Sequence, residues 1–325
     1  LILKDEDIMA EITQPLIHPW LVAVWPGMGH VAISAGYYLI SKLDMQMIAE
    51  FAPQELFDVE YTNVHQGIIQ APRLPRSRCF LWRDPKQKHD LILFIGEAQV
   101  PEGKQAFCHS LIQFAKRLGV ERVITFAAMA TQMHPEGTSR VFCAATSPEL
   151  LEELTHRGIR ILEEGRIGGL NGVLLGEAAA LGLPGACLLG EMPHIFAHIS
   201  FPGGSLAVLN GFMAMADVTI NLDELVQQAE QLGRKLGEVL AQVEGAIEAS
   251  SEEQPLDDEV KSPRLPEHKL SPRDEDRLFR MFAEAETDRS KAFELKQELD
   301  RLSVFSDYED QFLDLFKKSD DSTAS

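Results

Sequence analysis

Apolar positions along the chain fall into two alternating periods. From Trp20 to Trp25 the residues are continuously apolar and β-prone. They pass through a glycine turn at Gly27 and Gly29 into apolar residues at helical spacing, Val31, Ala35, Tyr38 and Leu39. A buried strand, a tight turn and a helix folded back on it make the first half of a βαβ unit. A second strand is predicted from Gln46 to Phe51, and a strand pair from Val64 to Ala71 and Cys79 to Arg83 about the Pro72 and Pro75 turn. Leu91 to Ile95 is apolar at every position and closed by Gly96, the pattern of a strand covered on both faces in a parallel or mixed sheet. Phe107, Leu111, Phe114 and Leu118 then mark a helix from about Glu102 that stops at Gly119, and Val123 to Ala127 returns to a buried strand. Ser147-Pro148-Glu149 supplies a cap and a first-position proline for a helix through His156. Asn171 is placed to cap a helix through Leu181, Pro184 to Gly190 reads as a strand, and Leu206 to Ala216 and Asp223 to about Ala249 are the last helices of this series. Strand and helix alternate throughout, which defines a layered α/β domain.

The pattern changes near Ser250. Residues 249–272 carry four prolines and many charges and read as an extended linker between a core at 16–248 and a helical tail at 273–318. Within the tail, Ser271-Pro272 starts a helix with Leu278, Phe282 and Ala285 on one face, and Leu295, Leu299 and Leu302 continue the 3/4 spacing. Ser306 with Glu309 has the form of a capping box for a last helix carrying Phe312. Such a stripe must bury against its own domain or a neighbouring subunit. A subunit contact through Leu278, Phe282, Leu295, Leu299 and Phe312 is the expectation here.

Composition narrows the function classes. A net charge of -20 repels nucleic acid and anionic membranes, and no apolar run is long enough to span a bilayer, so a cytoplasmic location is expected. Cys79, Cys108, Cys143 and Cys187 stand apart without a C-x-x-C pair and read as buried free thiols. Gly27-Met28-Gly29-His30-Val31-Ala32 fits G-x-G-x-x-A, with Glu50 at roughly the distance of a ribose-binding acid. Gly165 to Gly172 is a second glycine cluster before a helix, where Arg166, Gly168, Gly169 and Asn171 could form an anion nest. It lacks the Lys-Ser/Thr ending of a phosphate loop. His194 and His198 have the i, i+4 spacing of zinc ligands, but Pro193 and Pro202 oppose a helix there and the zincin glutamate is missing, so no metal is expected. No G-x-S-x-G nucleophile elbow is present. Two alternatives stand beside a purely steric role for the glycines. One is a pocket for a nucleoside or small phosphorylated substrate near Gly27, Gly168 and His194; the other is dinucleotide binding.

The ordered landmarks, Pro26-Gly27-Met28-Gly29 with Ala35 and Tyr37-Tyr38-Leu39, then Leu91 to Gly96, Gly168 to Gly172 with Leu174 and Leu175, and Met192-Pro193-His194, together resemble the proteasome assembly chaperone two family over roughly Leu16 to Glu248. The resemblance implies a three-layer α/β/α sandwich with a mixed, mostly parallel sheet, similar to the phosphorylase and peptidyl-hydrolase fold, to which this chain adds a C-terminal helical extension. It implies a non-catalytic, usually self-associating protein without a cofactor, whose partners are copies of itself or a protein complex under assembly. Some relatives engage the proteasome through a carboxy-terminal hydrophobic-Tyr-any tail. Asp321-Ser322-Thr323-Ala324-Ser325 here is a different sequence.

Overall fold

Eight strands form one twisted sheet flanked by helices on both faces. The computed structural model describes residues 12, 14–51, 56–58, 62, 64–65, 67–71, 73–250, 272–302 and 304–316. The first strand, β1 (Trp20–Val24), leads through the glycine turn to α1 (Val31–Lys42), and β2 (Gln46–Phe51) follows. A small hairpin, β3 (Val64–His65) and β4 (Ile68–Ile69), stands apart from the main sheet. The chain continues through β5 (Ser77–Trp82), β6 (Leu91–Gly96), α2 (Lys104–Arg117), β7 (Arg122–Thr131), β8 (Val141–Ala145), α3 (Pro148–His156), β9 (Arg160–Ile161), α4 (Gly169–Ala180), β10 (Gly185–Pro193), α5 (Pro202–Ala216) and α6 (Asp223–Ser250). The tail supplies α7 (Pro272–Thr287), α8 (Ala292–Arg301) and α9 (Phe305–Asp314).

Strand order is β2-β5-β6-β1-β7-β10-β8-β9. The centre, β6, β1, β7 and β10, is parallel, while β5 and β8 run antiparallel to their central neighbours. The continuous apolar runs sit where they are covered twice. Side chains of β1 alternate between the two layers: Trp20, Val22 and Val24 enter the core shared with α1, α5, α6 and the tail, whereas Leu21 and Ala23 enter the core shared with α2 and α4. Local caps follow the sequence at α3, where Ser147 Oγ accepts the Leu150 N–H at 3.3 Å.

Three sequence expectations are corrected. Val64 to Ala71 does not pair with Cys79 to Arg83; β5 lies between β2 and β6, and the 64–69 segment folds on itself. The antiparallel strand β8 is a short apolar run, Val-Phe-Cys-Ala-Ala, that is absent from the expected strands. The α9 helix begins at Phe305, so Glu309 lies inside it and its carboxylate meets the Tyr37 hydroxyl of α1 instead of capping the helix. Of the expected linker at 249–272, residues 249 and 250 end α6 and Pro272 begins α7, and residues 251–271 lie outside the described residues.

The tail stripe is also placed differently from the expected subunit contact. Leu278, Phe282, Leu295, Leu299 and Phe312 are buried in the chain's own core. The reason lies in α1, which is apolar on nearly every side and needs a cover on the face turned away from the sheet. Tyr38 meets Phe293 edge-on at 4.4 Å between ring centroids, and Tyr37 packs on Phe305 at 4.9 Å and Phe312 at 6.0 Å. The end of the tail closes the sheet edge as well, because the Met47 N–H of edge strand β2 donates to the Phe316 carbonyl at 3.0 Å.

Candidate functional site

The carboxyl ends of the central parallel strands form the mouth where open α/β sheets place ligands. Here the two glycine turns and the His194 segment meet, through two junctions. The Gln99 side chain forms the first: its Nε2 donates to the Pro26 carbonyl at 3.2 Å, and its Oε1 accepts the Leu170 N–H at 3.1 Å. At the second, the Gly29 N–H donates to the Ala197 carbonyl at 2.8 Å and the Phe201 N–H to the Gly29 carbonyl at 2.9 Å. His194 lies in a 3-10 turn, where its Nδ1 sits 3.1 Å from the Thr131 carbonyl.

The protein's own atoms fill the spaces that glycine creates. Gly29 has φ +59, and a Cβ there would meet Met192 Sδ at 2.6 Å. Gly169 has φ +66, and its Cβ position lies 2.4 Å from Gln99 Oε1. At Gly172 the Ile167 carbonyl oxygen would be 2.0 Å from a Cβ, so backbone rests directly on this helix turn. Gly27, Gly168 and Arg166 are exposed beside these junctions. Asn171 is buried inside the first turn of α4 with its Oδ1 unpaired, so it does not cap the helix. Gln99 takes the capping role, supplying an acceptor to a helix whose N-cap, Gly168, offers no side chain. Gln99→Ala is therefore expected to lower stability by about 1 to 2 kcal/mol, read as a shifted urea midpoint at unchanged slope. A change below a few tenths would show that the α4 N-terminus needs no cap.

Strand order disposes of the dinucleotide arrangement. In that arrangement the acid lies on the strand next to the glycine turn, whereas β5 and β6 separate β2 from β1 here. Glu50 is engaged elsewhere, its Oε2 accepting from Arg78 Nε at 3.0 Å.

Two ionic constellations lie near the mouth: one on Glu191, the carboxylate that the sequence places beside His194 and His198, and one on Arg78, which the sequence reading does not single out. Each could have been found as a charge inside an apolar run. Glu191, within the fully buried β10, accepts from Thr131 Oγ1 at 2.9 Å and Arg140 Nε at 2.6 Å. Arg140 foremost, against the opposing effect of burial, holds this carboxyl below its ordinary value. The bonds fasten the 131–140 loop to the end of β10. At the other side, Arg78 is 1% exposed and meets Glu50, Glu97 and the tail residue Asp310. Burial works against its charge, but Asp310, Glu97 and Glu50 hold the guanidinium above its ordinary value.

A cavity of about 440 Å³ opens between the 135–139 loop, α5 and α6. Phe201, Leu206 and Val226 give it an apolar floor, with Asn210 and Arg234 on its walls. None of Gly27, Gly29, Arg166, Gly168, Gly169, Asn171 and His194 lines it. Among the described residues, no three His, Cys, Asp or Glu side chains gather as a metal site. All four cysteines are free and buried, and burial pushes the Cys143 thiol up to about 11 and the Cys108 and Cys187 thiols to about 12, which leaves them poor nucleophiles. Among the described residues no helix is long and apolar enough to cross a membrane.

These features define a three-layer α/β/α protein with a mixed sheet, at whose mouth Gly29 packs on Met192 and Gly169 on Gln99. The chain belongs to the PAC2 family, whose model matches residues 21–240. It is 25% identical over 256 residues to an uncharacterised protein of Methanocaldococcus jannaschii, covering 76% of this chain and 93% of that one. Similar solved structures include PbaB of Pyrococcus furiosus, an archaeal proteasome activator, with TM-score 0.58 and 24% identity over 71% of this chain and 96% of that chain. Another is the proteasome-assembly chaperone homologue Rv2125 of Mycobacterium tuberculosis, with TM-score 0.59 and 22% identity over 69% of this chain and 95% of that chain. The family match ends before α7.

Proposed function

We propose that this chain is a non-catalytic protein-binding or assembly-chaperone-like protein of the cytoplasm that associates with copies of itself. The observation that carries the proposal is the filling of both glycine turns by Met192 and Gln99, which leaves their backbone to pack layers together and not to hold phosphate. Membership of a family whose similar structures include a proteasome activator and a proteasome-assembly chaperone homologue supports protein partners. Four buried free thiols fit a reducing compartment.

Two measurements test the proposal. Light scattering coupled to size exclusion is expected to give a mass that is a multiple of 36.2 kDa at micromolar concentration. A monomer at every concentration and salt would remove self-association. Thermal melts with millimolar inorganic phosphate, ATP or NAD are expected to match the apo melt. A rise of several degrees with one of them would instead favour an enzyme of phosphorylated substrates, because a ligand that binds only the folded state stabilises it by mass action.

A further inference from the structure

If copies of this chain associate, the tail stripe is not the contact, since its apolar residues are spent on α1 and the β2 edge. The large apolar side chains left exposed among the described residues fall into separate groups: the 64–69 hairpin, scattered positions on α6, Ile161, Phe279 on α7, and Met28, Ile195 and Ile199. The last group differs from the others in two respects.

It is held firmly. Met28 is 46% exposed, Ile195 50% and Ile199 42%, yet they stand on two loops clamped by the Gly29–Ala197 and Phe201–Gly29 backbone bonds. Ordering these side chains in a contact therefore costs little backbone entropy. It is also free of charge on a chain that carries -20. No Asp, Glu, Lys or Arg occurs from Trp20 to Ser41 or from Met192 to Ala216, the two stretches that build the platform. Two copies of so acidic a chain repel each other over most approaches, and a platform whose two stretches carry no carboxylate is where that repulsion is least. Phe201 links this uncharged platform to the 440 Å³ cavity, which is lined by Leu206 and Val226 together with Glu136, Glu230 and Arg234.

We infer that the face formed by Met28, Ile195 and Ile199 with the adjoining Phe201, Leu206 and Val226 groove is the contact surface for a second copy of this chain. The inference rests on the self-association reading and names its surface. The test is sedimentation-equilibrium analysis by ultracentrifugation of the full chain, the double variant Ile195→Asp with Ile199→Asp, and a control, Val64→Asp with Ile68→Asp, which charges the hairpin. The platform variant is expected to weaken association by about 100-fold or more, since it buries like charges at the centre of the contact. Its melting temperature should stay near wild type because both side chains are half exposed. The hairpin control is expected to keep the wild-type mass, and added salt to strengthen wild-type association. A wild-type oligomer unchanged by the platform variant, or one broken by the hairpin variant, overturns the choice of surface while self-association stands. A wild-type monomer overturns both.

Discussion

Arg78→Ala should cost about 4 kcal/mol of folding stability and free the tail. Arg78 is almost wholly buried, and its guanidinium answers three carboxylates from three elements: Glu50 of β2, Glu97 after β6 and Asp310 of α9. Removing one partner from a buried ionic cluster typically costs about 3 to 5 kcal/mol, because the charges left behind have lost their water and their counter-ion. Glu97 would be the worst placed. It is 5% exposed, and burial already pushes its carboxyl above the ordinary value against the pull of the Arg76 N–H, Arg78 and Arg73. Arg73, 2.8 Å from Asp310, and Arg76 remain to moderate the loss. The check is denaturant unfolding together with hydrogen exchange in α9, where protection should fall. A loss under about 1 kcal/mol would mean that the cluster does not hold the tail.

Glu309→Gln is expected to do the opposite, stabilising the protein by about 4 kcal/mol at pH 8. Burial, with a smaller contribution from the neighbouring charge of Asp310, pushes the Glu309 carboxyl from 4.5 up to about 8. It faces the Tyr37 hydroxyl of α1, with Asp310 beside it, while Lys296 of α8, over the Tyr37 ring at 5.3 Å, is paired with Asp300. A raised carboxyl binds its proton more tightly in the folded state. Its contribution is therefore full below 4.5 and is lost as pH rises towards 8. Asp310 has the opposite sign: Arg78 and Arg73, working against burial, hold it at about 2, so its contribution is present above 3.8 and is lost as pH falls through 2. Tail docking should be tightest between pH 4 and 5 and weaken through neutrality. Glutamine cannot ionise, so the variant's melting temperature should decline less than that of wild type from pH 4.5 to 8, the remaining slope coming from other raised carboxyls such as Glu97. A parallel decline in both would show that Glu309 is not the titrating group.

The parts of the fold that were legible in the sequence are those set by short-range pattern. Trp20 to Trp25 and Leu91 to Ile95 are apolar at successive positions, which only a doubly covered strand accommodates, and both are central strands. The glycine turn after β1 was legible as a turn for the same reason. Its use was not, since Met192 and Gln99, which fill the glycine spaces, come from distant segments and carry no local mark. Arg78 and Glu191 did carry one, a charge in an apolar strand. The mark gave the need for a partner without naming Asp310 or Arg140.

The tail divides the two kinds of information most clearly. Spacing at Leu295, Leu299 and Leu302 determined a helix with one face to bury, and the chain alone was enough to say so. Which surface receives that face depended on α1 being apolar on its outer side and on β2 presenting an open edge, both brought within reach only when the sheet closes. Sequence by itself therefore determined the elements, the layered α/β class and the glycine turns, because helix and strand periods act over a few residues. Tertiary structure alone decided that the turns are filled, that the tail folds onto its own core and that Met28, Ile195 and Ile199 stay uncovered, because those outcomes depend on contacts between residues far apart in the chain.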